Sequence, residues 1–531
     1  MALCPLPRRC PSPHHRRSPT AAQGPAGVRV PTCAPRLEFR PLQTGLSSPH
    51  DADMVKIGRR ALTLGLGTMG LSSFLSQGCA TATTASRLPP SAPLPSGRDF
   101  LLKNASLLTM DPVLGDIPGG SVLVRQGQIL AVGRNLVAPD VPVIDAQGMI
   151  GLPGLVDTHW HMWNTLLRSF AGTRKADGYF PTVAAFGKNM VPSDLYQGTR
   201  LAAAEALACG ITTVHNYCHN VRSLDHATAD LQALREAGIR ARWSFGWPQG
   251  LTTDQGLDLE SLGRLHADWA SHSNGGLLSL GMAWPGIQRM GGRTPERIYK
   301  EELRFARERK LPLSVHASSQ RGATGQIGEF AREGLLGPDL QVIHALFATE
   351  EEIQAMASAG TAVSVSPRSE MRIGYGFPKF LPFLRQGVKL GLSIDTTVLT
   401  GNANLFDVMK TARDIENARA ENEFEWTGRQ LLELGTLGGA RSLGLDGWIG
   451  SLTPGKRADL LLINPRRVNM GVAPDPVNLV IEATEPGNVD TVIVEGRILK
   501  RGGALTALSP ERIITEASAA LDELRARTQL R

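Results

Sequence analysis

The feature of this chain that most restricts its fold is a run of eight apolar strand patterns that alternate with helical patterns. The strand patterns lie at residues 152–158, 211–215, 239–245, 277–283, 311–316, 341–344, 361–366 and 389–395. The helical patterns between them lie at residues 196–208, 227–237, 295–309, 327–332, 350–358 and 377–385. Because strands that alternate with helices form parallel sheets, and eight such units close a ring, we predict an α/β fold with a (β/α)₈ TIM barrel. A doubly wound open sheet is the alternative, which eight regular repeats disfavour.

A second, smaller domain is predicted from segments on both sides of the barrel. Short strand patterns with glycine turns lie at residues 100–108, 121–125, 128–132 and 143–145. After the barrel, helical patterns at 405–418 and 428–442 precede strand patterns at 459–463, 479–483 and 491–494. We therefore divide the body into a small β domain formed by residues 98–150 and 446–505, a barrel over residues 151–445, and a C-terminal helix at residues 506–531.

The front of the chain differs from the body in composition and charge. Residues 1–53 are rich in proline, arginine and serine, lack a hydrophobic period, and are interpreted as a disordered or mis-started leader. The first 60 residues hold ten basic and three acidic side chains, which accounts for the whole net charge of +7. Residues 61–531 hold 46 basic and 46 acidic side chains, so the body of the chain is neutral overall. This balance argues against nucleic acid as a partner.

Residues 54–97 are interpreted as a twin-arginine-like signal followed by a linker. Arg59 and Arg60 precede an apolar, glycine-rich run at 61–75, which has the length of a signal peptide and is short for an ordinary membrane span. A signal that starts near Met54 predicts an exported protein, periplasmic or membrane-anchored. A leader without function predicts a cytoplasmic protein instead.

The cysteines exclude some site types and suggest one attachment. Cys79 stands where a lipoprotein is cleaved, so a lipid anchor at Cys79 is one expectation, and cleavage after Ala80 or Ala82 is the alternative. Only Cys209 and Cys218 fall in the body of the chain. Two cysteines cannot form a disulfide framework or an all-cysteine zinc site, so any metal must rely on histidine and carboxylate ligands.

Metal-capable side chains end four of the predicted barrel strands. His159 and His161 are two residues apart at the end of the first strand, so they share one strand face. His316, His344 and Asp395 end the fifth, sixth and eighth strands. Because active sites of such barrels lie at the carboxyl ends of the strands, we expect these side chains to converge. Three histidines and a carboxylate suit Zn²⁺, and Fe²⁺ is the alternative.

Five short stretches carry a family resemblance: VIDA at residues 143–146, PGLVDTHWH at 153–161, EAL at 205–207, GITT at 210–213 and GSLTPGKRADL at 450–460. They resemble the amidohydrolase superfamily, in its branch of cytosine-deaminase-like and chlorotriazine-hydrolase-like enzymes. The resemblance covers roughly residues 98–505. It implies a metal-dependent hydrolase of small molecules with a barrel and a β-sandwich, and a homodimer is expected on this ground alone.

The resemblance also implies roles for the residues at the strand ends. It implies a metal site formed by His159, His161, His316 and Asp395. It gives His344 a hydrogen bond to the substrate oxygen or to the attacking water, which the metal activates. It gives Asp395 the transfer of the water's proton to the leaving group. Family members with two metals carry a bridging lysine or glutamate on the fourth strand, which residues 277–284 lack, so we expect one metal.

One departure from the family pattern bears on the reaction. Deaminases of this branch carry a glutamate three residues after the histidine of the fifth strand, and that glutamate protonates a ring nitrogen. Ser319, followed by Gln320, stands there, and neither side chain carries a proton as a carboxylic acid does. We therefore predict hydrolysis of a non-peptide carbon–nitrogen bond of amide, urea or carbamate type in a small aromatic or heterocyclic substrate. The alternative is a deaminase or dechlorinase of a nucleobase-like or triazine-like ring, and the remote alternative is a binding protein without catalysis.

Several further residues are predicted to contact the substrate, namely Asn164, Trp163, His215, Trp284, Ser319 and Gln320. Asn164 falls where related deaminases often place a glutamine that holds the substrate. The two tryptophans lie close to predicted strand ends and suit an aromatic pocket, with ordinary barrel packing as the alternative. His215 ends the second predicted strand, where a structural hydrogen bond is equally compatible with the pattern.

Overall fold

The computed structural model describes residues 97–289, 291–472 and 474–529. The predicted leader, the twin-arginine-like signal and Cys79 lie outside these residues. Across the part of the chain that is described, every helix falls short of the length or the apolar character that crossing a membrane requires.

The described residues form two sheets and a short hairpin, surrounded by helices. The strands are β1 (Phe100–Leu108), β2 (Asp116–Arg125), β3 (Gln128–Gly133), β4 (Val143–Asp145), β5 (Ile150–Pro153), β6 (Leu155–Trp160), β7 (Ile211–Cys218), β8 (Arg240–Phe245), β9 (Leu278–Ala283), β10 (Gln288–Arg289), β11 (Gly292–Arg293), β12 (Leu313–Ala317), β13 (Leu340–His344), β14 (Ala362–Val365), β15 (Leu390–Leu392), β16 (Leu460–Ile463), β17 (Val489–Val494), β18 (Arg497–Arg501) and β19 (Ala504–Leu505). The α-helices are α1 (Tyr179–Gly187), α2 (Pro192–Ala208), α3 (Leu224–Ala237), α4 (Leu259–Ala267), α5 (Trp269–His272), α6 (Glu296–Glu308), α7 (Gln326–Arg332), α8 (Glu350–Ala359), α9 (Pro367–Arg372), α10 (Leu381–Arg385), α11 (Thr397–Thr400), α12 (Leu405–Ala420), α13 (Gly428–Glu433), α14 (Gly439–Ser442), α15 (Pro476–Ala483) and α16 (Pro510–Thr528). Segments of 3₁₀ helix lie at Met162–Leu167, Lys175–Asp177, Arg321–Ala323 and Pro486–Asn488, and a π-helical segment lies at Leu434–Gly438.

The larger sheet is a barrel of eight parallel strands, β6 to β9 and β12 to β15. Its strands follow chain order, and neighbouring strands pair in parallel around the ring. A parallel bridge between Trp160 and Asp395 links the first strand to the residues after the last, which nearly closes the ring. Almost every strand residue is buried, as expected for parallel strands covered by helices. The predicted α/β barrel fold is confirmed.

Local sequence signals set where the surrounding helices begin and end, and α8 is an example. The hydroxyl of Thr349 accepts a hydrogen bond from the backbone N–H of Glu352, and the Glu352 carboxylate accepts one from the N–H of Thr349. This reciprocal cap satisfies N–H groups that a helix start leaves unpaired. Gly360 ends the helix with a φ of +72°, which glycine adopts without strain. The chain then turns directly into β14.

The approach of β15 to β6 depends on a glycine. Gly391 of β15 lies so close to Thr158 of β6 that a Cβ atom at position 391 would overlap the threonine side chain. The Thr158 hydroxyl donates to the carbonyl of Leu392 at 2.9 Å and lies 2.7 Å from the hydroxyl of Ser364. The first and eighth strands are therefore in direct contact through a fixed side chain.

The smaller domain is a nine-stranded sheet built from both ends of the described chain. Its strand order is β19-β18-β17-β16-β5-β1-β2-β3, and β4 pairs with β1. Antiparallel pairing of β5 with β16 sets Ile150 opposite Ile463 and Leu152 opposite Leu461, which joins the N-terminal and C-terminal parts. An apolar cluster that draws on both parts packs separately from the main core. The predicted two-part β domain is thus one continuous sheet.

A buried ion-pair network joins this sheet to the barrel. Arg240 begins β8, and its guanidinium lies 2.6 Å from Asp459 and 2.5 Å from Glu495. Both acidic residues belong to turns of the nine-stranded sheet, beside β16 and β17. All three side chains are at most one-tenth exposed. The sheet therefore attaches near the amino end of β8, away from the strand ends where active sites of such barrels lie.

The predicted strand at residues 479–483 is wrong, because this segment forms the second half of α15. The Asp475 carboxylate caps that helix by accepting hydrogen bonds from the N–H groups of Val477 at 2.8 Å and Asn478 at 3.4 Å. Pro476 stands at the first helical position, where its fixed φ favours a helix. The periodicity of a short apolar run cannot distinguish a buried strand from a buried helix. Here the capping residue indicates the helix.

Candidate active site

Five polar side chains meet at the carboxyl end of the barrel. His159 lies in β6, and His161 follows that strand directly. His316 and His344 lie at the ends of β12 and β13. Asp395 follows β15, and its backbone N–H donates to the carbonyl of His159 at 2.8 Å while its own carbonyl accepts from the N–H of His161 at 2.6 Å. Backbone pairing therefore holds the carboxylate between the two histidines of the first strand.

The donor atoms of these side chains form two groups of three that share His159, and each group is close enough to hold an ion. Nε2 of His159 is 3.3 Å from Oδ1 of Asp395 and 3.2 Å from Nε2 of His316. Nε2 of His161 is 3.4 Å from the same oxygen. His344 offers a ring nitrogen within 4.8 Å of donor atoms of His159 and His316. Lone pairs this close repel one another unless a cation or a proton lies among them, so the donor set fits a divalent metal.

Burial keeps three of the imidazoles neutral. Burial, together with the repulsion of neighbouring histidine rings, lowers the pKa values of His159, His161 and His316 far below the ordinary histidine value. A neutral imidazole presents the nitrogen lone pair that a metal requires. The three rings are therefore in the ligand form at neutral pH.

Hydrogen bonds behind the donor set hold it in place. The Ser369 hydroxyl donates to Oδ2 of Asp395 at 2.5 Å, which leaves Oδ1 facing the histidines. Buried Asp157 accepts hydrogen bonds from the backbone N–H groups of His159 at 3.1 Å and Ile394 at 2.7 Å. One carboxylate thus ties the first strand to the segment after the eighth. Partners of this kind fix the orientation of metal ligands.

Two of the site residues have a strained backbone. His344 and Asp395 adopt φ values of +77° and +63°, which residues with a side chain rarely adopt. Such a conformation costs about 1–3 kcal/mol, and it persists where the surrounding structure enforces it. Strain of this kind concentrates at functional sites. Both residues end the extended segment of a barrel strand, where the chain turns away from the sheet.

A buried carboxylate that sequence reasoning missed supports His344. Nδ1 of His344 lies 2.9 Å from Oε1 of Glu370, which also accepts the backbone N–H of Ser366 at 2.9 Å. Burial disfavours a charged imidazole, but the hydrogen bond to Glu370 and the charge of Asp395 outweigh it and raise the pKa of His344 above its usual value. With Nδ1 engaged by Glu370, Nε2 is the atom of His344 that is free to serve the cavity.

A cavity of about 330 Å³ lies against these side chains. Its polar wall includes His161, His316, His344 and Asp395. Aromatic side chains form much of the remaining wall, namely Tyr179, Phe180, Trp247, Trp284 and Tyr375. Among the described residues, Asp395 is the one carboxylate in this lining. The size and the aromatic wall suit a small ring-containing molecule; we call this space the inner cavity.

Two of the six predicted substrate contacts, Ser319 and Trp284, line the inner cavity. The indole N–H of Trp284 donates to Glu302 at 3.0 Å, so this nitrogen is already satisfied within the protein. Ser319 lines this cavity together with Tyr375. Gln320 lies outside the inner cavity and lines a second, outer cleft.

Asn164 and Trp163 do not line the inner cavity. Both belong to the buried 3₁₀ segment that follows β6. Asn164 accepts a hydrogen bond from the Thr396 hydroxyl at 2.9 Å, and its amide donates to the Tyr179 hydroxyl at 3.4 Å. The indole N–H of Trp163 donates to Nδ1 of His219 at 3.4 Å. Tyr179 and His219 line the cavity themselves, so the structure places the two predicted residues one layer behind it.

His215 also lies away from the cavity. It sits in β7 with both ring nitrogens engaged, Nδ1 at 2.9 Å from the carbonyl of Thr158 and Nε2 at 2.9 Å from the hydroxyl of Ser244. Burial, with the nearby charge of Arg242, lowers its pKa to about 3. The histidine is a neutral hydrogen-bonding group in the barrel interior, which is the alternative that its position in a strand left open.

Sequence reasoning missed the contributions of the segment after β14. This segment supplies Ser369 behind Asp395, Glu370 behind His344, and Tyr375 in the cavity wall. A signal was present, because polar residues directly follow an apolar strand, as they do at the first, fifth, sixth and eighth strands. The seventh strand ends without a histidine or an aspartate, so the sequence pattern predicts no site residue there.

Comparison with known proteins agrees with this fold and donor set. The sequence model of the amidohydrolase family matches residues 150–499. The 5'-deoxyadenosine deaminase of Methanosarcina mazei is 27% identical over 444 residues, which cover 81% of this chain and 99% of that protein. The 5-methylthioadenosine/S-adenosylhomocysteine deaminase of Nitratidesulfovibrio vulgaris is 27% identical over 429 residues, which cover 77% of this chain and 93% of that protein.

Solved structures share the fold. A zinc-bound adenosine deaminase from Xanthomonas campestris superposes with a TM-score of 0.70 at 23% identity, covering 82% of this chain and all of that one. A zinc complex of atrazine chlorohydrolase from Arthrobacter aurescens superposes with a TM-score of 0.69 at 21% identity, covering 80% of this chain and all of that one. The family match spans more than half of the chain and contains every metal-capable strand end described above. The protein is thus a metal-dependent hydrolase of carbon–nitrogen bonds and belongs to the amidohydrolase family.

Proposed function

We propose that the protein is an aminohydrolase that replaces an amino group on a small nitrogen-containing aromatic ring with oxygen and releases ammonia. Relatives named as deaminases match about four-fifths of the chain, which supports this reaction. The observation that carries the proposal is the joint placement of Asp395 and the His344–Glu370 pair beside an aromatic cavity. These groups can move protons at the two sides of a ring carbon.

The sequence alone favours amide cleavage, because Ser319 cannot carry the proton that ring deamination needs. The His344–Glu370 pair supplies an acidic group in place of the one that Ser319 lacks. His344 faces the inner cavity, and Glu370 holds its other ring nitrogen at 2.9 Å. A histidine backed by a carboxylate serves as a proton donor, so a second acidic group is present although the fifth strand lacks one.

We assign one zinc ion to His159, His161, His316 and Asp395. Three imidazole nitrogens and one carboxylate oxygen form the kind of donor set that zinc takes, and Fe²⁺ is the alternative. The β9 segment LSLGMA contains no side chain that bridges a second metal, which supports a single ion. When bound, the metal supplies Lewis acidity and activates water for attack at neutral pH.

The residues of the chain then transfer the protons of the reaction and stabilise the charge that develops. Asp395 accepts a proton from the attacking water as the carbon–oxygen bond forms. His344 stabilises the negative charge that develops on the substrate, and Glu370 holds its ring in position. Asp395 returns the proton to the amino group, the carbon–nitrogen bond breaks, and ammonia leaves. One water is consumed for each ammonia released.

A second candidate function rests on a separate observation. Ser319 lines the inner cavity where related deaminases carry a glutamate, and Asp395 is the one carboxylate among the described lining residues. Hydrolysis of an amide, urea or carbamate requires no ring protonation, because the negative charge collects on the carbonyl oxygen. The same Asp395 would deliver the proton to the departing amine. This cleavage of an open carbon–nitrogen bond is the alternative reaction.

Product analysis separates the two reactions. The zinc-loaded protein is incubated with aminated heterocycles and nucleosides, and in parallel with aryl amides, ureas and carbamates, and the products are identified by mass spectrometry. Exchange of an amino group for oxygen with release of ammonia supports the aminohydrolase. Cleavage into an acid and an amine supports the alternative and overturns the proposal. Asp395→Asn, prepared in the same way, is the control for contaminating activity.

We also propose that the protein is exported through a twin-arginine route. Support comes from the sequence alone, in the arginine pair Arg59 and Arg60 before the apolar run at residues 61–75. Fusion of residues 54–97 to a reporter that is active only outside the cytoplasm tests this. We expect the double substitution Arg59→Lys and Arg60→Lys to abolish reporter activity, and retained activity would refute the route.

A further inference from the structure

A second cavity, the outer cleft, adjoins the inner cavity. It has a volume of about 1370 Å³, and residues from the loops after several barrel strands line it. Five residues line both spaces, namely Tyr179, Phe180, Ile373, Tyr375 and Leu399. A molecule bound beside the metal ligands therefore lies next to the outer cleft, with these shared side chains between them.

Cations without matching anions line the outer cleft. Of its described lining side chains, six are basic and none is acidic. Arg174 and Arg419 are neutralised by ion pairs with Asp177 and Glu416. The others are Lys175, Arg321, Arg372 and Lys379, and the described part of the chain places no carboxylate within ion-pair distance of them.

The contacts of three of these cations keep their charge available. Arg321 lies over the ring of Phe347, with its guanidinium carbon 5.4 Å from the ring centroid. Arg372 reaches only the carbonyl of Ala171, at 3.5 Å. Lys379 donates to the carbonyl of Ala348 at 2.7 Å. A carbonyl or an aromatic face orients a cation without cancelling its charge, so the cleft carries a net positive field.

Exposed aromatic rings accompany the charge. Phe180 is 55% exposed and Phe377 is 69% exposed, and both line the outer cleft. Large apolar side chains exposed at the rim of a cleft commonly mark a binding surface. Aromatic faces beside arginines suit a ligand that has an apolar body and an anionic end.

We propose that the outer cleft binds the anionic end of an elongated substrate whose reacting ring occupies the inner cavity. The proposal rests on the function proposed above, since it names the class of substrate for the same site. The anion is a carboxylate or a phosphate. Arginine can donate two parallel hydrogen bonds to two oxygens of either group. Arg321 and Arg372 are the principal contacts, and Phe347 positions the first of them.

A small molecule fits this cleft better than a nucleic acid does. The body of the chain is neutral overall, so the positive charge is local to the cleft. A polyanion needs a basic surface many phosphates long, whereas four uncompensated cations around one cleft match one anionic group. The adjoining metal-capable site also acts on small molecules in the relatives named above.

Binding measurements on matched pairs of small molecules test the proposal without requiring turnover. The zinc-loaded full chain is titrated with adenosine against adenosine 5′-monophosphate, and with acetanilide against 4-acetamidobenzoate, by fluorescence of Trp247 and Trp284 and by calorimetry. We expect the charged member of at least one pair to bind roughly tenfold tighter at low salt, which corresponds to one charge-assisted contact. The pair that responds tells a phosphate end from a carboxylate end.

Variants and salt locate the effect. The double variant Arg321→Ala with Arg372→Ala should bring the charged member down to the affinity of the neutral one and leave the neutral one unchanged. Arg304→Ala, which removes an exposed arginine of α6 outside the cleft, should have no effect. In the unmodified protein, raising the salt from about 20 mM to about 300 mM should erase most of the preference.

The outcomes separate this proposal from the proposed reaction. Equal affinity for the members of both pairs, including no detectable binding of either, overturns the anionic subsite. A preference that survives the double variant also overturns it. Preference for an anion with amide cleavage instead of deamination upholds the subsite and refutes the aminohydrolase. Deamination with equal affinity for the charged and neutral members of each pair, and with no effect of the double variant on the charged member, does the reverse.

Discussion

Asp395 has two carboxylate oxygens with different surroundings. Oδ2 accepts the hydroxyl of Ser369 at 2.5 Å, while Oδ1 lies 3.3 Å from Nε2 of His159. One oxygen is therefore anchored and the other is available to a metal and to a proton. The amide of asparagine keeps the shape and one acceptor but cannot take a proton.

We expect Asp395→Asn to reduce kcat by about 10³-fold, within the range that general acid–base groups contribute. Three imidazoles remain, so the loss of zinc should be modest. Steady-state rates and zinc content by mass spectrometry measure both effects. Asp254→Asn, an exposed carboxylate on a loop, is the control. A variant with near-normal kcat would remove Asp395 from the proton transfer.

Glu370 acts through His344, so its substitution should affect the pH profile and the rate constant together. Glu370→Gln keeps an acceptor for Nδ1 and removes the negative charge that, against the effect of burial, raises the pKa of His344. The imidazolium is then less stable. As the pH is raised, activity that requires the imidazolium should begin to decline at a lower pH than in the unmodified protein. We expect the alkaline limb to move down by about one pH unit.

The size of the Glu370 effect distinguishes positioning from folding. We expect kcat to fall roughly tenfold at neutral pH, as for other partners that orient site histidines, with unchanged zinc content. Glu350→Gln, at the exposed start of α8, is the matched control. If kcat falls but the pH profile stays in place, the carboxylate has a structural role only.

Ser319 is where the chain departs from related deaminases, and Ser319→Glu restores a carboxylic acid there. Ser319 lines the inner cavity beside Tyr375, so a longer side chain would enter the space that holds the substrate. We expect ring deamination to rise about tenfold or more if a second acid is limiting. Ser319→Gln matches the size without the proton. Equal rates in the two variants would show that the missing acid is irrelevant.

Among site residues, those at strand ends could be predicted, and those that depend on the path of loops could not. His159, His316 and Asp395 end apolar strands, and parallel strands bring their carboxyl ends to one rim. Polar residues follow the seventh strand in the sequence, but the contact of Glu370 with His344 spans 26 residues and depends on the path of α9, which no local pattern encodes. His215 ends a predicted strand too, but its ring turns into the barrel interior, where burial rather than position decides its role.

At the scale of elements, the contact between β6 and β15 is the joint on which the metal-capable set depends, because these strands lead to His161 and Asp395. Gly391 makes the contact possible, since Thr158 occupies the space where a Cβ would lie. Overpacking of a fixed site costs about 1–3 kcal/mol and shifts the backbone.

We expect Gly391→Ala to lower the melting temperature and to reduce zinc content, because the barrel would open between its first and last strands. Thermal unfolding and metal analysis measure the two effects. Gly447→Ala, where a methyl group meets nothing within 4 Å, is the control and should change neither. Unchanged zinc in Gly391→Ala would mean that the joint tolerates a wider spacing.

Periodicity could predict most elements of the body, and it failed where a buried run had no period. The eight barrel strands and the helix α8 carry clear patterns and caps. Residues 479–483 resemble a strand because Leu479, Val480 and Ile481 form an unbroken apolar run, yet Asp475 caps a helix over them. The predicted helix at 377–385 begins only at Leu381, as α10. Prolines at 378 and 382 disfavour a longer helix, since the first lacks an N–H and restricts the residue before it.

At the scale of the whole molecule, the nine-stranded sheet stabilises the barrel from the end opposite to the metal-capable side chains. Arg240 pairs with Asp459 and Glu495, and all three are nearly buried. Removing one member of a buried ion pair leaves an uncompensated charge, which costs about 3–5 kcal/mol. The network should therefore govern stability without touching the chemistry.

We expect Arg240→Met to destabilise the protein by about 3–5 kcal/mol while kcat of the folded fraction stays normal. Denaturant unfolding and activity at low temperature measure these quantities. Arg264→Ala breaks an exposed pair with Glu260 and should cost less than about 1 kcal/mol. A large fall in kcat for Arg240→Met would contradict the separation of the two ends.

The ribosome releases β5 about 300 residues before its partner β16 exists. At roughly 5–20 residues per second, the wait lasts about 15–60 s. One edge of β5 has no neighbour throughout that time, and it is still unpaired after the barrel and its metal-capable residues have emerged. Unpaired strand edges attract other chains. The yield of soluble protein should therefore depend on whether a chaperone shields that edge during synthesis, more than on the supply of zinc.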